Sequence, residues 1–196
     1  MVKMLVRRKN EDYRSREYLT VREVNSILRG AKVYGRYKVR NYALVLLIFR
    51  HGLRVSEACD LRWDAISFLD EEIFITRKKG SDSGVHPLPV DEIEALKQLK
   101  ELNIGGNYVF IGERGERLTP AAVQRLLTRL GEVAELNIKI HPHQLRHACG
   151  YYLVNEGHST RFIQEFLGHR DIRHTEKYTK VNSKRFSGIK WNTIDE

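Results

Sequence analysis

Six ionisable side chains in this 196-residue sequence could together carry out a phosphodiester transfer: Arg54, Lys79, His143, Arg146, His169 and Tyr178. Two guanidiniums, an ammonium, two imidazoles and a phenol suit such a transfer when the nucleophile belongs to the protein. A phosphodiester resists attack because its negative charge repels nucleophiles and its alkoxide leaves poorly. Catalysis must stabilise a pentacovalent phosphorane and protonate the departing oxygen. Arg54 and Arg146 fit the first task, since each planar fork can hold two phosphoryl oxygens, and their charge removes the need for a metal. Lys79, in the run RKKG, is the candidate general acid, with Arg77 and Lys78 as cationic neighbours that would lower its pKa. Lys78 is the rival for that role. His143 lies three residues before Arg146 and shares its helical face, placed to bond a phosphate or take a tyrosine proton. His169 follows a Leu-Gly pair, in a loop that can aim its ring at a phosphoryl oxygen. Tyr178 is the candidate nucleophile; a phenol with an ordinary pKa near 10 needs a base or cationic surroundings, and His169, Arg173 and Lys177 raise the local potential. Glu57, three residues after Arg54, is expected to buttress that arginine or the local fold rather than to react. His141, His147 and His174 read as secondary, His147 as a packing residue. Zinc ligation by HPHQLRH is disfavoured, because no cysteine pair flanks it and no acidic ligand sits at helical spacing.

These residues fall in three motifs: GLRVSEACDL (52–61), HPHQLRH (141–147) and LGHRDIRHTEKYT (167–179), with a basic hairpin between the first two. Their order and spacing resemble the catalytic domain of the tyrosine recombinases, the phage integrase family, from about Tyr18 to about Ile189. One such motif alone would mean little; the three together are specific. The resemblance implies site-specific DNA recombination through a 3′-phosphotyrosyl link, with Tyr178 at the family's distance from His169 and Lys79 protonating the 5′ oxygen. It also implies no cofactor, and double-stranded DNA with inverted-repeat sites as partner. Four protomers would work on two sites, assembled on DNA from free monomers, with DNA-bending accessory proteins. Arg77, Lys78, Arg173 and Lys177 are the expected DNA contacts. The last motif, with RFSGI at 185–189, resembles the small invertases that flip fimbrial promoter segments. That implies fimbrial phase variation. An integrase of a mobile element, a topoisomerase-like nicking and closing enzyme, and a DNA-binding regulator without catalysis stay open as alternatives. Family members usually add an N-terminal helical domain, for which this length leaves no room; a basic arm is expected to substitute in part.

Charge supports a polyanionic partner. The net charge is +9, with +8 in residues 1–41, −3 in 42–138 and +6 in 139–190. Two basic ends around a mildly acidic middle suit a polyanion lying across one face. Cys59 and Cys149 lie in apolar contexts without a CxxC, and read as buried thiols of a reducing cytoplasm; the resemblance implies a bacterial cytoplasm and association with the nucleoid. The apolar run Tyr42–Phe49 is too short to span a membrane, and the basic N-terminus does not read as a signal peptide.

The elements that must position these groups are mostly helices. Residues 1–17 read as a flexible basic arm, 18–190 as the catalytic domain and 191–196 as a C-terminal tail. The pattern predicts helices from Thr20, with a Thr20–Glu23 capping box, to Gly30; over Val39–His51; and around Ser56–Leu61. AISFLD, EEIFIT and GVHPLPV predict a three-stranded antiparallel sheet. Further helices are predicted over Asp91–Leu102, from Thr119 and Pro120 to about Leu136, from Pro142, over Thr160–Leu167 and around His174–Thr179. YVFI is expected to be extended. The expected class is mainly α with a small antiparallel sheet.

Overall fold

The computed structural model describes residues 17–78, 80–102 and 106–180. The expected arm (residues 1–16 of it), Lys79, the RFSGI segment and the C-terminal tail lie outside the described residues.

Helix α1 (Val21–Val33) starts as its sequence demands: Thr20 and Glu23 close a reciprocal capping box. It does not stop at Gly30. The helix continues one turn, with Tyr34 N–H donating to Gly30 O. Gly30 is there for close packing, since a Cβ would lie 3.3 Å from Val133 Cγ1. Helix α2 (Lys38–Arg50) is the central rod: its residues from Ala43 to Phe49 are all buried. It packs against α1, α4 (Val90–Leu102) and α6 (Pro142–Asn155). That explains an apolar run with no polar face.

Helix α3 (Val55–Asp60) is followed by a sheet of order β1-β2-β3, both pairs antiparallel. Its strands are short: β1 Ile66–Ser67, β2 Glu72–Ile75 and β3 Gly84–Pro87. The segment YVFI is extended but irregular, with bridges from Tyr108 to Arg62 and from Ile111 to Arg117. Helix α5 (Pro120–Val133) is capped by Thr119, with Pro120 at its first position. It ends before Leu136, because Glu135 turns to φ 54°.

Three helices carry the C-terminal motifs: α6, α7 (Thr160–Leu167) and α8 (Arg173–Lys180), and they pack on one another. Gly168 ends α7 in the left-handed region at φ 67°, and its carbonyl accepts from Asp82 N–H of the β2–β3 hairpin. This brings the hairpin against the turn that leads to His169. Cys59 and Cys149 are buried free thiols, whose pKa values burial pushes up to about 11 and about 12. Among the described residues no helix is long and apolar enough to cross a membrane.

Candidate active site

One cavity of about 260 Å³ is lined by Arg54, His143, Arg146, His169 and Tyr178 together with Lys177. The side chains are delivered by the ends or faces of α3, α6 and α8 and by the turn after α7. Arg54 is the N-cap residue of α3, fixed by the left-handed turn at Gly52, φ 56°. His143 and Arg146 lie one turn apart on α6. His169 stands two residues past the end of α7, just after its Gly168 cap, and Tyr178 sits on α8. Gly80 and Ser81 of the hairpin close one wall.

The two arginines are held from behind. Arg146 is buried, at 2% exposure, and donates from Nη1 to Gly52 O and from Nη2 to Leu167 O, the latter at 2.9 Å. Burial, then the charges of Arg77 and Arg54, lowers its pKa to about 10, so it stays protonated at neutral pH. Arg54 donates to Glu57 Oε1 at 2.6 Å and to Ser81 Oγ at 2.8 Å. Glu57 binds more than the Arg54 side chain. Its carboxylate also accepts from Arg54 N–H at 2.8 Å, Arg77 at 2.9 Å and Lys78 N–H at 3.2 Å. Burial by itself would raise its pKa; the Arg54 N–H and the Arg77 and Arg54 guanidiniums outweigh that and bring it down to about 2.

His143 and His169 are held neutral. His169 is buried, with Nδ1 at 2.8 Å from Thr175 Oγ1, and burial with Arg146 and Arg54 nearby lowers its pKa to about 3. His143 is exposed at the cavity mouth, but one side packs edge-on against His147 at 4.1 Å. Loss of hydration on that side, then Lys177 and Arg146, lowers its pKa to about 4.

Tyr178 is 1% exposed, and burial pushes its phenol above the ordinary value although the Arg146 charge opposes this. Its hydroxyl lies 2.9 Å from His147 Nδ1. His147 packs between the rings of His143 and Tyr178 and in addition meets the phenol, a contact the sequence reading missed. Its position four residues after His143 puts both on one face of α6, a signal available in the sequence.

Arg77, expected as a DNA contact, is buried. Its guanidinium, 1% exposed, pairs with Glu57 and donates to the carbonyls of Gly52, His51 and Phe166. Its place explains the correction: β2 buries alternate residues, Ile73 and Ile75, and the same alternation carries Arg77 inward. Lys78 points outward and pairs with Asp60 at 2.8 Å. Arg173 is exposed and pairs with Asp171 at 2.6 Å. Lys177 lines the cavity with its Nζ 5.2 Å from the Tyr178 ring centre.

Comparison with known proteins identifies the family. Residues 17–185 match the phage integrase family. The Type 1 fimbriae regulatory protein FimE of Escherichia coli (strain K12) is 42% identical over 190 residues, 92% of this chain and 95% of that protein. The Type 1 fimbriae regulatory protein FimB of the same strain is 41% identical over 183 residues, 91% of each chain. A crystal structure of XerA recombinase superposes with a TM-score of 0.76 at 26% identity, covering 87% of this chain and 62% of that one. With the family matched over most of its length, and five ionisable groups from its three motifs around one cavity, the chain belongs to the phage integrase family.

Proposed function

We propose that this chain is a metal-independent, site-specific DNA recombinase that inverts a promoter segment controlling fimbrial phase variation. The observation that carries the chemistry is the convergence of Arg54, Arg146, His143, His169 and Tyr178 on one cavity. Arg54 and Arg146 clamp the non-bridging oxygens of the scissile phosphate and hold the charge of the phosphorane. His169 donates to one of these oxygens from its Nε2, with Nδ1 engaged by Thr175. His143, neutral and open to the cavity mouth, takes the phenol proton. Tyr178 attacks phosphorus, its oxygen forms the 3′-phosphotyrosyl bond, and the 5′ oxygen departs with a proton from Lys79. Support for Lys79 over Lys78 comes from its neighbours: Gly80 and Ser81 line the cavity, while the Lys78 ammonium is engaged by Asp60. A 5′ hydroxyl of the partner strand reverses the attack, so the ester energy is kept and no nucleotide is needed.

The two fimbrial regulatory relatives, each matched over at least nine tenths of its length, support the inversion reading. The reading extends to a cytoplasmic protein that acts on double-stranded DNA with inverted-repeat sites, as four protomers, with help from DNA-bending proteins. The test is a pool of random-sequence nicked duplexes incubated with the protein. Protein-linked DNA should be recovered from wild type and not from Tyr178→Phe, whose affinity for the recovered duplex stays unchanged. Adducts formed equally by Tyr178→Phe would refute Tyr178 as nucleophile. Recovery of bound but never covalently linked DNA would favour a regulator.

A further inference from the structure

The hydroxyl of Tyr178 meets His147, a residue the recombination chemistry above leaves without a task. His147 is buried, and both of its ring nitrogens have neighbours. Nδ1 lies 2.9 Å from the phenolic oxygen, and Nε2 lies 3.4 Å from Lys177 Nζ. An ammonium only donates. Nε2 must then accept, and the single hydrogen of the neutral ring sits on Nδ1, facing Tyr178. The imidazolium is disfavoured first by burial, then by its neighbours His143, Arg146 and His141 on α6 or at its start, and Lys177 on α8, which together lower the pKa to about 2.

We infer that His147, held in one tautomer by Lys177, is a catalytic hydrogen-bond donor to the nucleophile, aiming the Tyr178 oxygen and stabilising the phenolate as it forms. The inference rests on the reading of Tyr178 as nucleophile. His147 neither gains nor loses a proton. The phenol's own hydrogen, turned away from Nδ1, leaves through the cavity to His143. The donated bond is neutral before proton loss and charge-assisted after it, and so stronger when the phenolate exists. Tyr178 needs such help: burial holds its phenol protonated to higher pH than in water, and Cys149 and Tyr151 on α6 add to this, with Arg146 and Arg54 opposing.

Two variants separate a donor from a base. Asparagine places an amide N–H near the position of Nδ1 but takes no proton, whereas leucine offers neither. The measurement is single-turnover cleavage of the duplex recovered above, between pH 6.5 and 9.5, with DNA affinity and melting temperature for each protein. His147→Asn should cleave within about tenfold of wild type, and His147→Leu about 100- to 1,000-fold slower near neutral pH, the usual cost of one preorganised donor. The His147→Leu rate should keep rising with pH after wild type levels off, because a phenol that has lost its donor ionises only at higher pH. DNA affinity should match wild type in both. A folded His147→Asn slower than wild type by more than about 100-fold overturns the donor role and makes His147 a base. A His147→Leu protein that cleaves like wild type overturns any role. If His147→Leu does not fold, the His147→Asn rate decides by the same limits. Wild-type protein that forms no adduct refutes the recombinase reading itself.

Discussion

Gly150 lies directly under the ring of Tyr178: a Cβ on Gly150 would stand 2.6 Å from Cε2 and 2.8 Å from Cζ. This gives a reason for a glycine within a helix, where it costs about 1 kcal/mol relative to alanine. The ring fills the space a side chain would take, with Tyr151 edge-on to it at 5.1 Å. Gly150→Ala should push the ring outward and carry the hydroxyl off His147. A displacement near 1 Å is enough to slow a positioned reaction by about 100-fold. DNA affinity should stay at the wild-type value, and stability should fall by about 1–3 kcal/mol from overpacking. Single-turnover cleavage beside a binding isotherm measures both. Unimpaired cleavage would mean that Tyr178 reacts from another position.

Arg77 makes an opposite kind of prediction, one of stability without DNA contact. Its guanidinium joins Glu57 to the carbonyls of His51, Gly52 and Phe166. Gly52 O also holds Arg146, and Leu167, beside Phe166, supplies Arg146 with its second carbonyl. Arg77→Met should cost about 3–5 kcal/mol, since it leaves a buried carboxylate short of a partner. Below the lowered melting temperature, the slope of log affinity against log salt should not change. A slope shallower by about 0.9 would place Arg77 on a phosphate after all.

These residues show what the sequence carries and what it hides. The cavity residues were legible because each sits in a short motif at a helix end or on one helix face, where spacing and geometry coincide. The element types were legible for the same reason: Thr20, Pro120 and Gly168 act as caps and stops through local backbone chemistry. Gly30 misled because a tertiary contact with Val133, and not a helix end, explains it. Arg77 misled because a basic run reads as a solvated surface, although the alternation of Ile73 and Ile75 already pointed inward. No local pattern announces the pairing of His147 with Tyr178, 31 residues apart, or of His51 with Glu92 at 2.9 Å and with His86 at 3.2 Å. Those contacts exist only after the helices pack.

Acid should unfold the protein early. His86, His147 and His169 are buried, and burial is the first cause that lowers their pKa values, to about 3, 2 and 3. For His86 the charges of His51 and Arg77 add to it. Below the ordinary histidine value near 6.5 the unfolded chain binds protons that the folded chain refuses. The stability these residues contribute is thus full above about pH 6.5 and falls as pH drops, by up to about 1.4 kcal/mol per pH unit for each histidine. Glu57 adds a loss of the same sign lower down, between its ordinary carboxylate range and about 2. Urea melts from pH 8 to pH 4.5 should show a flat region above about pH 7 and a steep decline beneath it. Replacing His86 by an apolar residue of similar size should make the decline shallower. Stability independent of pH down to 5 would mean that these rings are hydrated in solution.

Arg146 should resist replacement by lysine more than its charge alone would demand. Each terminal nitrogen of a guanidinium carries two hydrogens. In Arg146 one from each is directed to a carbonyl, Gly52 O and Leu167 O, and the proposed phosphate clamp uses the N–H groups that remain. The side chain is thus anchored from behind while it lines the cavity. A lysine ammonium has a single nitrogen; it can satisfy the two carbonyls or the phosphoryl oxygens, but not both in the guanidinium's geometry. Burial would also lower the pKa of a lysine here, as it already does for arginine. Arg146→Lys should therefore slow cleavage by about 100- to 1,000-fold, close to the loss in Arg146→Ala. Raising the pH should deepen the Arg146→Lys defect, because the buried ammonium then deprotonates. The reaction should be followed with excess chelator, so that no added metal ion substitutes for the missing charge. Near-normal cleavage by Arg146→Lys would show that one point charge suffices, and that Arg146 is not a two-pronged clamp.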